Sequence, residues 1–137
     1  MIRSTYYYKN GNPGIVEEYG DGYRKSQTNY WADGTIMEEI EWNENGGMLK
    51  HARYDKNGEL ESRWILEYDE NNNNIKTTEY DKNDEIKSIA THEYDENGNE
   101  IKLTMYDGEN NVKSVKTSEY DSNNNITKET FYDSEGN

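Results

Sequence analysis

The dipeptide Tyr-Asp begins at Tyr54, Tyr68, Tyr80, Tyr94, Tyr106, Tyr120 and Tyr132, with separations that alternate between 14 and 12 residues. Nothing else in the sequence restricts the fold as strongly, because a fixed period of roughly 20 to 50 residues marks a chain made from stacked copies of one small unit. The unit here is 26 residues long and has two halves. Other columns keep the same register: Lys50, Lys76, Lys102 and Lys128; Leu60, Ile86 and Val112; Ser62, Ser88 and Ser114; Glu67, Glu93 and Glu119. Each half opens with a polar segment such as YDKNGE (Tyr54 to Glu59) or YDENGN (Tyr94 to Asn99). A run rich in Ile, Val, Thr and Tyr follows, and the two together read as a turn and a strand.

The turn has a chemical reason. An Asp side chain caps it, and the residue three positions on must accept a positive φ. Gly58 and Gly98 supply that residue in the clearest copies, and Asn72, Asp84, Asn110 and Asn124 stand in the same column. Asn and Asp are the next-best residues for a left-handed backbone. Connections this short join only antiparallel neighbours, so the sequence predicts an all-β fold: an antiparallel meander of about eleven short strands in a single elongated or curled sheet. Equivalent residues of successive units fall about 9.6 Å apart in such a sheet. Tyr68, Tyr94 and Tyr120 then line one end of the strands, and Tyr54, Tyr80, Tyr106 and Tyr132 the other. Residues 1–137 read as one β-repeat domain, with residues 1–42 as irregular, cap-like repeats and 43–137 as the regular array. The early copies YKNGNPG (Tyr8 to Gly14), YGDG (Tyr19 to Gly22), YWADG (Tyr30 to Gly34) and WNENGG (Trp42 to Gly47) each set an aromatic residue before a turn.

Composition bears on partners. A net charge of −14 repels nucleic acid phosphates and anionic lipid headgroups, so neither direct DNA binding nor membrane association is expected. No apolar window approaches the roughly 20 residues of a membrane span, and the expected location is cytoplasmic. With 30% hydrophobic and 32% charged residues the core must be thin, and thirteen Tyr and three Trp supply much of what can be buried. The absence of Cys rules out disulfides and thiolate chemistry.

The carboxy-terminal two-thirds, with YDKNGE, YDENNN, YDENGN and YDSEGN, resembles the YD repeats of bacterial Rhs-type proteins. The amino-terminal third, with YKNG, YGDG, YWADG and NGGMLK, looks like the MORN-variant repeats of antitoxin and immunity proteins. The resemblance implies a β-repeat fold and a role in binding protein rather than in catalysis. The reading it favours is an acidic immunity or antitoxin factor that neutralises a basic bacterial toxin, such as a nuclease, by direct binding. The rival is a structural YD-repeat module of a larger surface protein, with no soluble ligand.

Several residue groups carry a sharper alternative. Asp69, Asn71 and Asn73, and likewise Asp95, Asn97 and Asn99, match the D-x-N-x-N opening of a calcium loop. The twelfth position holds Tyr80 or Tyr106 where an EF-hand needs a bidentate Glu, so structural turns without cofactor are expected. His51 and His92 are the only side chains poised for proton transfer near neutral pH, and neither has a Ser or Cys motif beside it. No catalytic residue is assigned. Glu38, Glu39, Glu41 and Glu44 form an acidic run, and Trp31, Trp42 and Trp64 lie outside the Tyr columns or replace them. Aromatic anchors ringed by charge are what protein interfaces use, so these seven residues are the candidate partner-binding set. The strand over 126–132 is an expected open edge, a place for homodimerisation or for a donated strand.

Overall fold

A computed structural model describes all residues from Met1 to Asn137, and it contains strands and turns with no helix. The strands are β1 (Ile2–Tyr7), β2 (Pro13–Gly20), β3 (Tyr23–Tyr30), β4 (Ile36–Trp42), β5 (Met48–Tyr54), β6 (Leu60–Tyr68), β7 (Asn74–Tyr80), β8 (Ile86–Tyr94), β9 (Glu100–Asp107), β10 (Val112–Tyr120) and β11 (Ile126–Asp133). Their order in the sheet is their order in the chain. The all-β antiparallel meander read from the repeat is therefore the observed fold. Two compact units are distinguished: Met1–Leu66 with Tyr80–Glu85, and Glu67–Glu79 with Ile86–Asn137.

One turn geometry recurs through both units. In the turn from Asp95 to Asn99, the Asp95 N–H donates to the Asn99 carbonyl and the Gly98 N–H donates back to the Asp95 carbonyl, both at 3.0 Å. Asp95 Oδ1 then accepts the N–H groups of Asn97 and Asn99 at 2.9 Å each. The turns that begin at Asp55, Asp69, Asp81, Asp107, Asp121 and Asp133 repeat this pattern. The closing residue is left-handed whether it is Gly98 (φ 82°) or Asn72, Asp84, Asn110 and Asn124 (φ 63° to 67°). This is a three-residue hairpin loop ending in a left-handed residue.

YGDG departs from the expected scheme. Gly20 pairs directly with Tyr23, and Asp21 and Gly22 both have positive φ (57° and 90°). Two consecutive left-handed residues define the two-residue type I′ hairpin, whose twist matches that of its strands. A second regular feature is a one-residue slip of register beside the turns. Glu93 faces Lys102 but Tyr94 faces Glu100, which leaves Ile101 as an extra residue on the second strand. Lys25, Met37, Leu49, Glu61, Lys113 and Thr127 are extra in the same way. Such bulges increase local twist.

The core is as thin as composition demands. Val16 and Ala52 are the only buried apolar residues, and no large side chain is fully buried. Instead, columns of half-buried side chains on both faces shield one another. Ala52, Thr78 and Thr104, which occupy one repeat position, are buried beneath their neighbours. On the same face as Ala52, an ion pair recurs with the repeat: Glu41–Lys50 at 3.3 Å, Glu67–Lys76 at 2.8 Å, Glu93–Lys102 at 2.7 Å and Glu119–Lys128 at 3.0 Å. The tyrosines that end β8 and β10 are used alike: Tyr94 donates to the Asn74 carbonyl at 2.8 Å and Tyr120 to the Glu100 carbonyl at 3.0 Å.

Candidate functional site

Alternation along the strands splits the acidic run. Glu39 and Glu41 lie on the face of Ala52, where Lys50 reaches both at 3.3 Å and the Tyr54 hydroxyl donates to Glu39 at 2.9 Å. Desolvation opposes the charged form of Lys50, yet the two carboxylates outweigh it and hold its pKa above the ordinary lysine value. Glu38 points to the opposite face. Glu44 sits exposed in the turn between β4 and β5.

On the Glu38 face, a continuous polar chain crosses β2 to β6. The Tyr19 hydroxyl donates to Glu17, and Arg24 Nη1 donates to Glu17 at 2.7 Å and to Gln27 at 2.8 Å. Gln27 donates to Asn29 at 2.9 Å, and Asn29 donates to Glu38. Glu38 meets His51 Nε2 at 2.9 Å, and the His51 ring stacks on Trp64 with centroids 5.6 Å apart. The Arg24 guanidinium lies 4.2 Å over the Trp42 ring. Partial burial pushes the Glu38 pKa up, but hydrogen bonds from His51 and Asn29 together overcome it and leave the carboxyl below its ordinary value. Register explains the assembly: Gln27 faces Ile40, Ile40 faces His51, and His51 faces Trp64, while Asn29 faces Glu38.

Of the seven candidate partner-binding residues, this face gathers Glu38, Trp42 and Trp64. Trp31 is elsewhere. It takes the turn position that Asp holds in the regular copies, its N–H donating to the Thr35 carbonyl at 2.8 Å, with Lys56 Nζ 5.4 Å from its ring and its indole N–H buried without a partner. All three tryptophans are half-buried, so each packs with one side and presents the other. Arg24, Gln27 and Asn29 escaped the sequence reading. Their only signal is the unbroken polar run of β3 from Arg24 to Asn29, which ordinarily marks a solvated strand.

In the second unit, His92 Nδ1 lies 2.6 Å from Glu100, and Lys116 stands between Glu100 (3.5 Å) and Glu129 (3.3 Å). The two calcium-like turns, Asp69 to Asn73 and Asp95 to Asn99, line one shallow depression together with Ile75 and His92. Their carboxylates are already engaged. Asp69 and Asp95 each accept two backbone N–H groups on Oδ1 and an Asn side-chain N–H on Oδ2.

Fold and site together define a tandem-hairpin β-repeat sheet with an aromatic and hydrogen-bonded face. No family model and no curated protein matches the chain. Among solved structures, it is similar to a chain of the Tc holotoxin pore of Photorhabdus luminescens, with 13% sequence identity and a TM-score of 0.45. The likeness covers 96% of this chain and 9% of that one.

Proposed function

We propose that this chain is an acidic protein-binding factor of the immunity or antitoxin kind, which captures a basic toxin domain by direct contact. The observation that carries the reading is how charge is distributed. At least nine of the fifteen cationic side chains are tied to carboxylates within the chain, so the surplus behind the −14 net charge is left facing solvent. A field of one sign steers a partner of the other. The half-buried Trp42 and Trp64, braced by Arg24 and His51, are suited to act as anchors once contact is made. The Asp/Asn turns act as structural elements without calcium, since the Asp69 and Asp95 carboxylates each accept three hydrogen bonds from the turn itself.

The test is the association rate with a basic toxin domain retrieved from the native host, measured against ionic strength. It should fall about tenfold or more between low and high salt. A rate indifferent to salt contradicts the reading. Adding millimolar calcium should leave the melting temperature unchanged, and a rise would restore the ligand reading of the turns. The structural-module reading draws on the repetition of the turn and the near-absence of a core. A gene neighbourhood with a long repeat-containing frame and no toxin would favour it.

A further inference from the structure

On the Glu38 face of the first unit, one arrangement occurs twice. Glu17 faces Gln27, which faces Ile40, and Trp42 follows Ile40 by two residues. Glu38 faces Arg53, which faces Ser62, and Trp64 follows Ser62 by two residues. Each carboxylate is therefore two strands from its tryptophan and one step of alternation short of it, on the same side of the sheet. What bridges them differs. Arg24, on the strand between, donates to Glu17 at 2.7 Å and lays its guanidinium 4.2 Å over the Trp42 ring. His51, likewise on the strand between, meets Glu38 at 2.9 Å and stacks on Trp64 with centroids 5.6 Å apart.

A permanent cation closes the first trio. Arg63 acts alike elsewhere in the unit, pairing with Asp84 at 2.7 Å and lying 4.3 Å over Tyr80, and Lys56 stands 5.4 Å from the Trp31 ring. Trp64 is the one tryptophan with no Lys or Arg over it. An imidazole is charged only when protonated, so the negative face of this indole is left without a fixed cation. Arg53 shares the face but stands in the row of Glu38 and takes no place over the ring. The platform is also ordered in advance. Asn29 and His51 each hold one oxygen of Glu38, which as a carboxylate can accept further donors, and Trp64 is half-buried with one side presented. A surface arranged before contact loses little side-chain freedom on binding.

We infer that the outer side of Trp64, beside His51 and Glu38, seats an arginine side chain of the partner, with guanidinium against ring and Glu38 alongside as acceptor. The inference rests on the reading of a basic partner and names the residue that receives it. Charge favours this occupant, since the chain carries −14 and fills the equivalent place over Trp42 with an arginine of its own. Arginine suits the seat better than lysine, because its planar fork stacks on an aromatic ring while it bonds a carboxylate.

The probe is a hexa-arginine peptide at about 1 mM, added to the full chain, with the indole N–H resonances of Trp31, Trp42 and Trp64 followed by NMR. A hexa-citrulline peptide, of the same shape without the charge, is the control. Trp64 should shift at least about threefold more than Trp42 with arginine, and should stay in place with citrulline. Exchanging the two bridging residues sharpens the test. H51R should silence Trp64 and R24H should make Trp42 respond, with unaltered amide spectra elsewhere showing that both variants remain folded. An unmoved Trp64 in the native chain overturns the inference, as does a Trp64 that still responds in H51R. Equal response to citrulline overturns its charge basis. In W64L the captured toxin should dissociate about tenfold faster. An unchanged dissociation rate overturns this seat alone, whereas salt-independent capture overturns the functional reading and leaves the peptide result standing.

Discussion

Within the turn from Asp107 to Asn111, two neighbouring residues respond to opposite constraints. Asn110 holds φ at 67°, a conformation that costs a side chain about 1 kcal/mol and costs Gly nothing comparable. Gly108 has an unremarkable φ, but a Cβ there would lie 2.1 Å from the Ile86 carbonyl oxygen. Asn110→Gly should therefore raise stability by up to about 1 kcal/mol, and Gly108→Ala should lower it by about 1 to 3 kcal/mol, both measured by urea unfolding. The turn carboxylates make a collective prediction. Hydrogen bonds from the residue four positions on, and then from the N–H two positions on, hold Asp55, Asp69, Asp81, Asp95, Asp107, Asp121 and Asp133 below the ordinary Asp pKa. A folded-state pKa below the unfolded value gives stability that is complete above about pH 4 and is lost as pH falls through the depressed values. Melting temperature should thus drop steeply below about pH 4, and less steeply in Asp95→Asn, whose side-chain oxygen can still accept the turn N–H groups without titrating.

Strands and hairpins show which parts of this architecture were legible in sequence. The left-handed column was, because Gly, Asn and Asp alone fill it and each names the same backbone state. The strand-end Tyr columns were legible for the same reason. The register slip was not: its extra residues, among them Lys25, Leu49, Glu61 and Ile101, share no chemistry, since a bulge constrains backbone pairing and leaves the side chain free. The split of Glu38 from Glu39 and Glu41 follows from strand alternation once the strand is placed. The polar chain from Tyr19 to Trp64 needs the cross-strand register as well, which no local pattern of β3 reveals. Three element-scale tests follow. Ala52 is fully buried between β4 and β6, so Ala52→Leu should destabilise by about 1 to 3 kcal/mol through overpacking, read by thermal unfolding. Tyr94→Phe removes the hydrogen bond to the Asn74 carbonyl and should cost about 1 kcal/mol. By contrast, the Glu93–Lys102 pair, about half exposed on both sides, should show a double-mutant coupling of under about 1 kcal/mol that fades in high salt.

For the whole molecule, stability has to come from repetition, because two buried apolar residues cannot supply it. In a repeat array each unit is held by its own hairpin and by its nearest neighbours, so stability is close to a sum over units and interfaces. The same logic accounts for a composition that alone suggests disorder: alternating columns of Tyr, Thr, Glu and Lys cover the backbone ladder from both sides without a separate core. A unit defined in this way can be removed whole. The most direct measurement is thermal unfolding, followed by circular dichroism, of a chain in which Tyr94 is joined to Asp121, a deletion of one 26-residue repeat. The account predicts a cooperatively unfolding β-sheet protein with a modestly lowered midpoint, and no such transition when 13 residues are removed, because an odd shift turns each strand's side chains to the wrong face. Loss of cooperative unfolding in the 26-residue deletion, or equal tolerance of both deletions, would contradict it.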